Sequence, residues 1–164
     1  MIVKMKNNKA IINDVIEPKD FKVIKEFWQG LDVPWQYNDG VVGVDEEEDF
    51  QFVNVICDID FQPHPQIWQL TIPILNILRP YSLIKIKANL RTRSEKIAES
   101  AMHTDNYQAG ALTAIYYINT CDGYTAFKDG DKFESVENTL LIFPSHMLHC
   151  GTTTVSYTHL RAHE

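Results

Sequence analysis

From Ser82 onward the chain is built of short alternating or β-branched stretches, each closed by a turn signal. That rhythm restricts the fold more than any other feature. SLIKIKANL alternates apolar and polar residues, which places Lys85, Lys87 and Asn89 on one face of a strand. RTRSEKIAESAM is polar and reads as a loop. ALTAIYYIN is β-branched and aromatic, so a strand. Cys121-Asp122-Gly123 turns the chain into YTAF, a DGD turn precedes KFESV, and ENTLLIFP is a further strand. The preceding residues have another texture. KAIINDV reads as a short strand. EPKDFKVIKEFWQGL reads as a helix, with Pro18 near its start and Phe21, Ile24, Phe27 and Trp28 at helical spacing. FQFVNVICDI is a strand, and HPQIWQLTIPILNIL is a second helix with a kink expected at Pro73. Helices first and short strands after predict a mainly β protein: a β-sandwich or jelly roll with helices packed on one face.

No repeat or linker interrupts this order, so one domain is expected over residues 1–154. Residues 1–80 give helical and strand support, and residues 81–154 form the core. The length suffices for a hydrophobic core. No apolar run approaches bilayer thickness, and MIVKMKNNKAIIND lacks the apolar segment of a signal peptide. Cys57, Cys121 and Cys150 are too few for a disulfide framework, which fits a reducing, cytoplasmic setting. The formal charge of −7 and the lack of a basic stripe disfavour nucleic acid as a partner. The acidic run in VVGVDEEEDF reads as a solvated loop, and His64, between two prolines, as structural.

The chemistry concentrates in AMHTDNY. His103 and Asp105 are two apart, so on an extended backbone both side chains point to one side, and an imidazole and a carboxylate converge. His149, in LHCG near the end of the strand series, is the natural third ligand. Two histidines and one carboxylate make the facial triad of non-haem Fe(II) oxygenases, with coordination positions left open. A surface histidine beside a turn-forming aspartate is the competing account of His103 and Asp105. His146 competes with His149. Cys150 is expected to be a buried thiol.

HTDN, ALTAIYYIN, DGYTAF, NTLLIF and HCG follow one another in an order and spacing that resembles the prolyl-4-hydroxylase-like branch of the Fe(II)/2-oxoglutarate oxygenases. The resemblance runs from about Leu83 to Gly151. It implies a double-stranded β-helix, Fe(II) held by His103, Asp105 and His149, and 2-oxoglutarate and O2 as cosubstrates. The Gly two residues after His149 favours it over His146. Tyr117 matches a position whose hydroxyl reaches the distal carboxylate of 2-oxoglutarate, with Thr113, Ile115 and Tyr117 on the inward face of their strand. Asn89 stands where a further polar contact to the cosubstrate often lies. RTRSEKIAES would sit over the iron as a substrate loop. The implied activity is hydroxylation of a small-molecule or peptide substrate, at a prolyl or other amino-acid side chain. A metal-binding jelly roll without catalysis, or a zinc hydrolase using the same ligands, are the alternatives.

The resemblance also implies a basic residue, usually Arg, about ten positions after the distal histidine, to pair with the far carboxylate. Arg161 lies twelve after His149, which preserves strand parity. However, all ten residues of VSYTHLRAHE fit one reading frame of a common transposase sequencing adapter. Residues 155–164, with His159, Arg161 and His163, are therefore expected to be a non-native, adapter-derived tail, which suggests a metagenomic source for the sequence. The native chain is expected to continue with a last strand and its own Arg.

Overall fold

The computed structural model describes residues 2–40, 50–58, 64–156 and 159–163; for Ile2 and residues 159–163 it describes the backbone alone. The acidic run expected as a solvated loop falls outside the described residues. Eleven strands and two helices follow in chain order among the described residues. They are β1 (Ile2–Lys6), β2 (Lys9–Asn13), α1 (Pro18–Trp28), β3 (Gln36–Asn38), β4 (Gln51–Asp58), α2 (Pro65–Leu78) and β5 (Lys85–Arg91). After these come β6 (Leu112–Tyr117), β7 (Tyr124–Phe127), β8 (Lys132–Glu134), β9 (Thr139–Pro144), β10 (His149–Gly151) and β11 (His159–His163). Eight strands form one sheet in the order β1-β2-β9-β6-β11-β5-β4-β3, and three form a second in the order β10-β7-β8. Two facing sheets with non-sequential neighbours, backed by two helices, make the expected jelly roll.

Side-chain alternation divides the interior into two cores. On β6, Ala114 and Tyr116 face the helices, while Ile115 and Tyr117 face the second sheet. On β9, Leu140 joins the helix side and Leu141 and Phe143 the other. The helix-side core adds Phe21, Ile24 and Trp28 from α1 and Ile67 and Ile74 from α2. Those residues recur at three- and four-residue spacing, which fixes the buried face of each helix. Pro18 starts α1 and Pro65 starts α2, positions where a missing N–H costs nothing. α2 continues through Pro73 to Leu78 and ends at Arg79 in the left-handed conformation (φ 47°).

Three local features go beyond the expectations. The strand read in KAIINDV is half of a hairpin, since β1 pairs antiparallel with β2. The short β3, paired with β4, was not foreseen. RTRSEKIAESAM is not a free loop. Its backbone runs beside residues 149–154, with Ser94 N–H donating to Thr154 O, Thr153 N–H to Ala98 O and Ser100 N–H to Gly151 O. It extends the small sheet as an irregular edge, held by main-chain bonds that side-chain polarity does not reveal.

Residues 159–163 form β11 between β5 and β6, with Arg161 opposite both Asn89 and Tyr117. This pairing is a main-chain property, open to many sequences, and is silent on where the ten last residues come from.

Candidate metal centre

His103 and His149 face each other as an isolated antiparallel pair, each N–H donating to the other's carbonyl at 2.9 Å. Residues directly opposite in such a pair project to the same side. The two imidazole rings accordingly lie 4.6 Å apart between centroids. Asp105, two residues past His103, is brought in by its own N–H, which donates to Ser145 O at 3.0 Å. His103 Nε2 stands 3.7 Å from Asp105 Oδ1, and His149 Nε2 stands 3.5 Å from Asp105 Oδ2. One ligand atom from each residue lies within 4.8 Å of the others. Donors on ~2.0–2.2 Å bonds to one ion stand about 3–3.5 Å apart, so the two Asp105 separations are already near that range, while the widest separation in the group must close by roughly an ångström on metal binding.

The surroundings fit that task. His149 Nδ1 lies 3.0 Å from Met147 O and His103 Nδ1 lies 3.3 Å from Ala101 O. A carbonyl only accepts, so each Nδ1 carries the proton and each Nε2 presents a lone pair toward the shared centre. Thr113 donates its hydroxyl to Asp105 Oδ2 at 2.7 Å and accepts from the Ser145 hydroxyl at 3.0 Å. That holds the carboxylate with Oδ1 toward His103 and Oδ2 toward His149. His149 is fully buried, and its ring packs against Phe143 at 4.7 Å and Phe127 at 5.8 Å. Asp105 is exposed, so the centre opens to solvent on one side. Two neutral imidazoles and one carboxylate, with an open side, suit Fe(II) and leave positions for further ligands.

His146 is exposed and lies outside the group. Cys150 is fully buried. His64 precedes α2, exposed and without a capping bond from its side chain. Tyr117 is fully buried on the inward face of β6, its hydroxyl 2.7 Å from Thr125 Oγ1. Asn89 is inward on β5 and 2% exposed, and its Oδ1 meets no hydrogen-bond partner among the described residues. Tyr117 and Asn89 flank the same β11 position, so they border one stretch of the interior. Gln51 and Arg91, both 2% exposed, also lie on this wall by strand parity. The sequence reading missed Thr113 as the partner of Asp105, and missed Ser145 altogether. The signal available for Thr113 was its parity with Tyr117; nothing near Ser145 marked it.

No protein-family model matches the chain, and no curated protein matches it. Solved structures do. A prolyl-4-hydroxylase from Pseudomonas putida superposes with TM-score 0.60 at 14% identity, covering 95% of this chain and 90% of that one. A prolyl hydroxylase from Trichoplax adhaerens, in complex with a hypoxia-inducible-factor peptide fragment, gives TM-score 0.60 at 12% identity over 96% and 82%. A non-heme alpha-ketoglutarate-dependent carbocyclase from nogalamycin biosynthesis gives 0.64 at 10% over 95% and 78%. At such identities the likeness is one of fold. The chain thus has the jelly-roll fold found in prolyl hydroxylases and other 2-oxoglutarate-dependent, Fe(II)-dependent oxygenases.

Proposed function

We propose that this protein is an Fe(II)- and 2-oxoglutarate-dependent dioxygenase that hydroxylates a small-molecule or peptide substrate, at a prolyl or other amino-acid side chain. One observation carries the reading: His103, Asp105 and His149 converge with both Nε2 atoms turned inward, on a fold whose solved neighbours use 2-oxoglutarate. Bound there, Fe(II) with 2-oxoglutarate supplies oxidative chemistry, in which one atom of O2 enters succinate, the other enters a C–H bond of the substrate, and CO2 leaves.

The chain's own residues do the rest. His103, Asp105 and His149 hold the metal. Thr113 fixes the rotation of Asp105 by occupying Oδ2. Tyr117, with Thr125 behind its hydroxyl, and Asn89 form the polar part of the wall that takes the distal carboxylate of the cosubstrate. Phe127 and Phe143 keep water from the buried flank of His149. The Asp105 side stays open to the substrate. The strand slot at Arg161 lies between Asn89 and Tyr117, so a cation on the last strand would complete the carboxylate site. The prolyl assignment draws on the two prolyl hydroxylases above.

The test is an anaerobic titration with Fe(II) and then 2-oxoglutarate, followed by O2. The expected result is a visible charge-transfer band that needs both components, and succinate formed when O2 is admitted. Metal binding without that band would reduce the protein to a metal-binding jelly roll. Zinc-dependent turnover that needs neither O2 nor 2-oxoglutarate would make it a hydrolase. Resequencing the source gene across residues 152–164 is the companion experiment. An open frame with a new strand bearing Arg about ten residues past His149 would supply the native anchor. A gene that truly ends in VSYTHLRAHE would leave Arg161 as the residue to test.

A further inference from the structure

We infer that Lys9, on the far edge of the large sheet, is a positioning residue for the metal ligand His149 and acts through Phe127. The inference rests on the metal-centre reading and extends it to a residue far from the ligand motifs.

Lys9 opens β2 and is completely buried, at 0% exposure. Its ammonium lies 2.5 Å from Asp129 Oδ2 and 2.9 Å from Asp131 Oδ2. Both carboxylates belong to the turn between β7 and β8. Gly130 stands between them with φ 91°, a conformation that a residue with a Cβ rarely adopts, so the turn that presents both acids depends on it. Asn7 Nδ2 and Lys6 Nζ also engage Asp131, at 3.0 and 2.6 Å. The β1–β2 hairpin of one sheet is thereby clamped to the β7–β8 hairpin of the other.

Stability alone is a poor reason for such a lysine. Withdrawing an ammonium and its carboxylates from water costs several kcal/mol, and an apolar side chain of the same volume is often as stable. What the ammonium adds is direction. Its Nζ sits 4.7 Å from the centroid of the Phe127 ring, within range of a cation–π contact. Phe127 is the cross-strand partner of His149, with ring centroids 5.8 Å apart and planes inclined by 35°. Phe143 closes the triangle, 4.8 Å from Phe127 and 4.7 Å from His149. The bond from His149 Nδ1 to Met147 O fixes one point of the imidazole. The tilt about that point, and so the direction of Nε2, is bounded by the two phenyl rings on one flank and by the His103 ring, 4.6 Å away, on the other. Lys9 holds one of the two phenyl rings.

Co(II), titrated anaerobically into the full chain, reads the geometry through its visible spectrum and the affinity through the titration. Lys9→Met is expected to weaken Co(II) binding about tenfold, at the low end for outer partners of a metal ligand, and to alter the visible bands. Phe127→Leu should do the same. Because both act along one path, the double variant should bind no worse than the weaker single variant. Lys9→Met with a lower melting temperature but unchanged Co(II) affinity and spectrum would overturn the inference, as would losses that multiply in the double variant. If Lys9→Met does not fold, Asp129→Asn loosens the same clamp from its more exposed end. A twofold to threefold loss of affinity with a band shift is then expected, and an unaltered spectrum would overturn the inference. Failure of the unaltered chain to bind Co(II) at all would instead sink the metal-centre reading.

Discussion

Tyr116 and Tyr117 are adjacent, equally buried and chemically identical, yet they belong to different parts of the molecule. Tyr116 points toward the helices, meets Phe21 edge-on at 6.4 Å and donates its hydroxyl to Asn138 Oδ1 at 2.8 Å. Asn138, held at φ 53°, also takes the N–H of Ile16 and gives its amide to Ile16 O. Tyr117 points between the sheets, and its hydroxyl meets Thr125. One tyrosine ties the β9 turn to the chain entering α1. The other borders the interior wall proposed to hold the cosubstrate. The two faces of a single strand thus part company: the helix face packs the fold together, and the inner face borders the proposed site. A residue's role here follows from its parity, with its chemical type secondary.

The division can be broken or sharpened by experiment. The largest effect is expected at Asp105→Ala, which removes the one anionic ligand; metal affinity should fall more than about a hundredfold in a titration, while the melting temperature of the metal-free chain barely moves. Unchanged affinity would dissolve the triad. Thr113→Val comes next. It frees Asp105 Oδ2 to rotate, and metal affinity should drop about ten- to a hundredfold. Tyr117→Phe should leave metal affinity intact and weaken 2-oxoglutarate about tenfold, roughly the worth of one hydrogen bond to a charged group.

Tyr116→Phe is the control on the other face. Asn138 Oδ1 keeps the Ile16 N–H, so the loss should be about 1 kcal/mol of unfolding free energy, with metal and cosubstrate binding unchanged. A catalytic effect from Tyr116→Phe, or a stability loss from Tyr117→Phe larger than that from Tyr116→Phe, would refute the division.

The smallest effect is in acid. Hydrogen bonds from Thr154 and from the 155–156 backbone lower Asp122 to about 2. Asp131 is lowered by its bonds to Lys6 and Lys9. Carboxylates lowered by folding stabilise fully above their unfolded value of about 3.9 and lose that contribution as pH falls through the folded value. Both acids lie on the small-sheet side, whereas Trp28, Trp35 and Trp68 pack in the helix-side core. Between about pH 4 and 2, amide exchange over residues 122–135, corrected for intrinsic rates, should accelerate before tryptophan emission changes. Simultaneous change would show that the two sides do not loosen separately.

Much of this was legible in the chain. The alternation in SLIKIKANL and ALTAIYYIN announced strands β5 and β6, and the spacing of Phe21, Ile24 and Trp28 announced α1, because amphipathic periodicity is imposed by the core itself. The inward parity of Thr113, Ile115 and Tyr117 followed from the same rule, and HxD with the later HCG named the three residues that the fold brings together. The short β3 and the irregular edge at residues 93–103 were not legible, since main-chain pairing holds them and side-chain pattern does not.

The sequence by itself determined which residues are inward and which chemical types lie near the ligands, for periodicity and residue type are local properties. The tertiary structure supplied the physical reason that His149, already marked by HCG, and not His146 completes the group: a backbone pairing forty-six residues apart. Only the tertiary structure placed Thr113 and Ser145 behind Asp105, and drew Lys9 across two sheets to the ring that abuts His149. Contacts of that kind depend on which strands become neighbours, and that is settled by the packing of the whole domain.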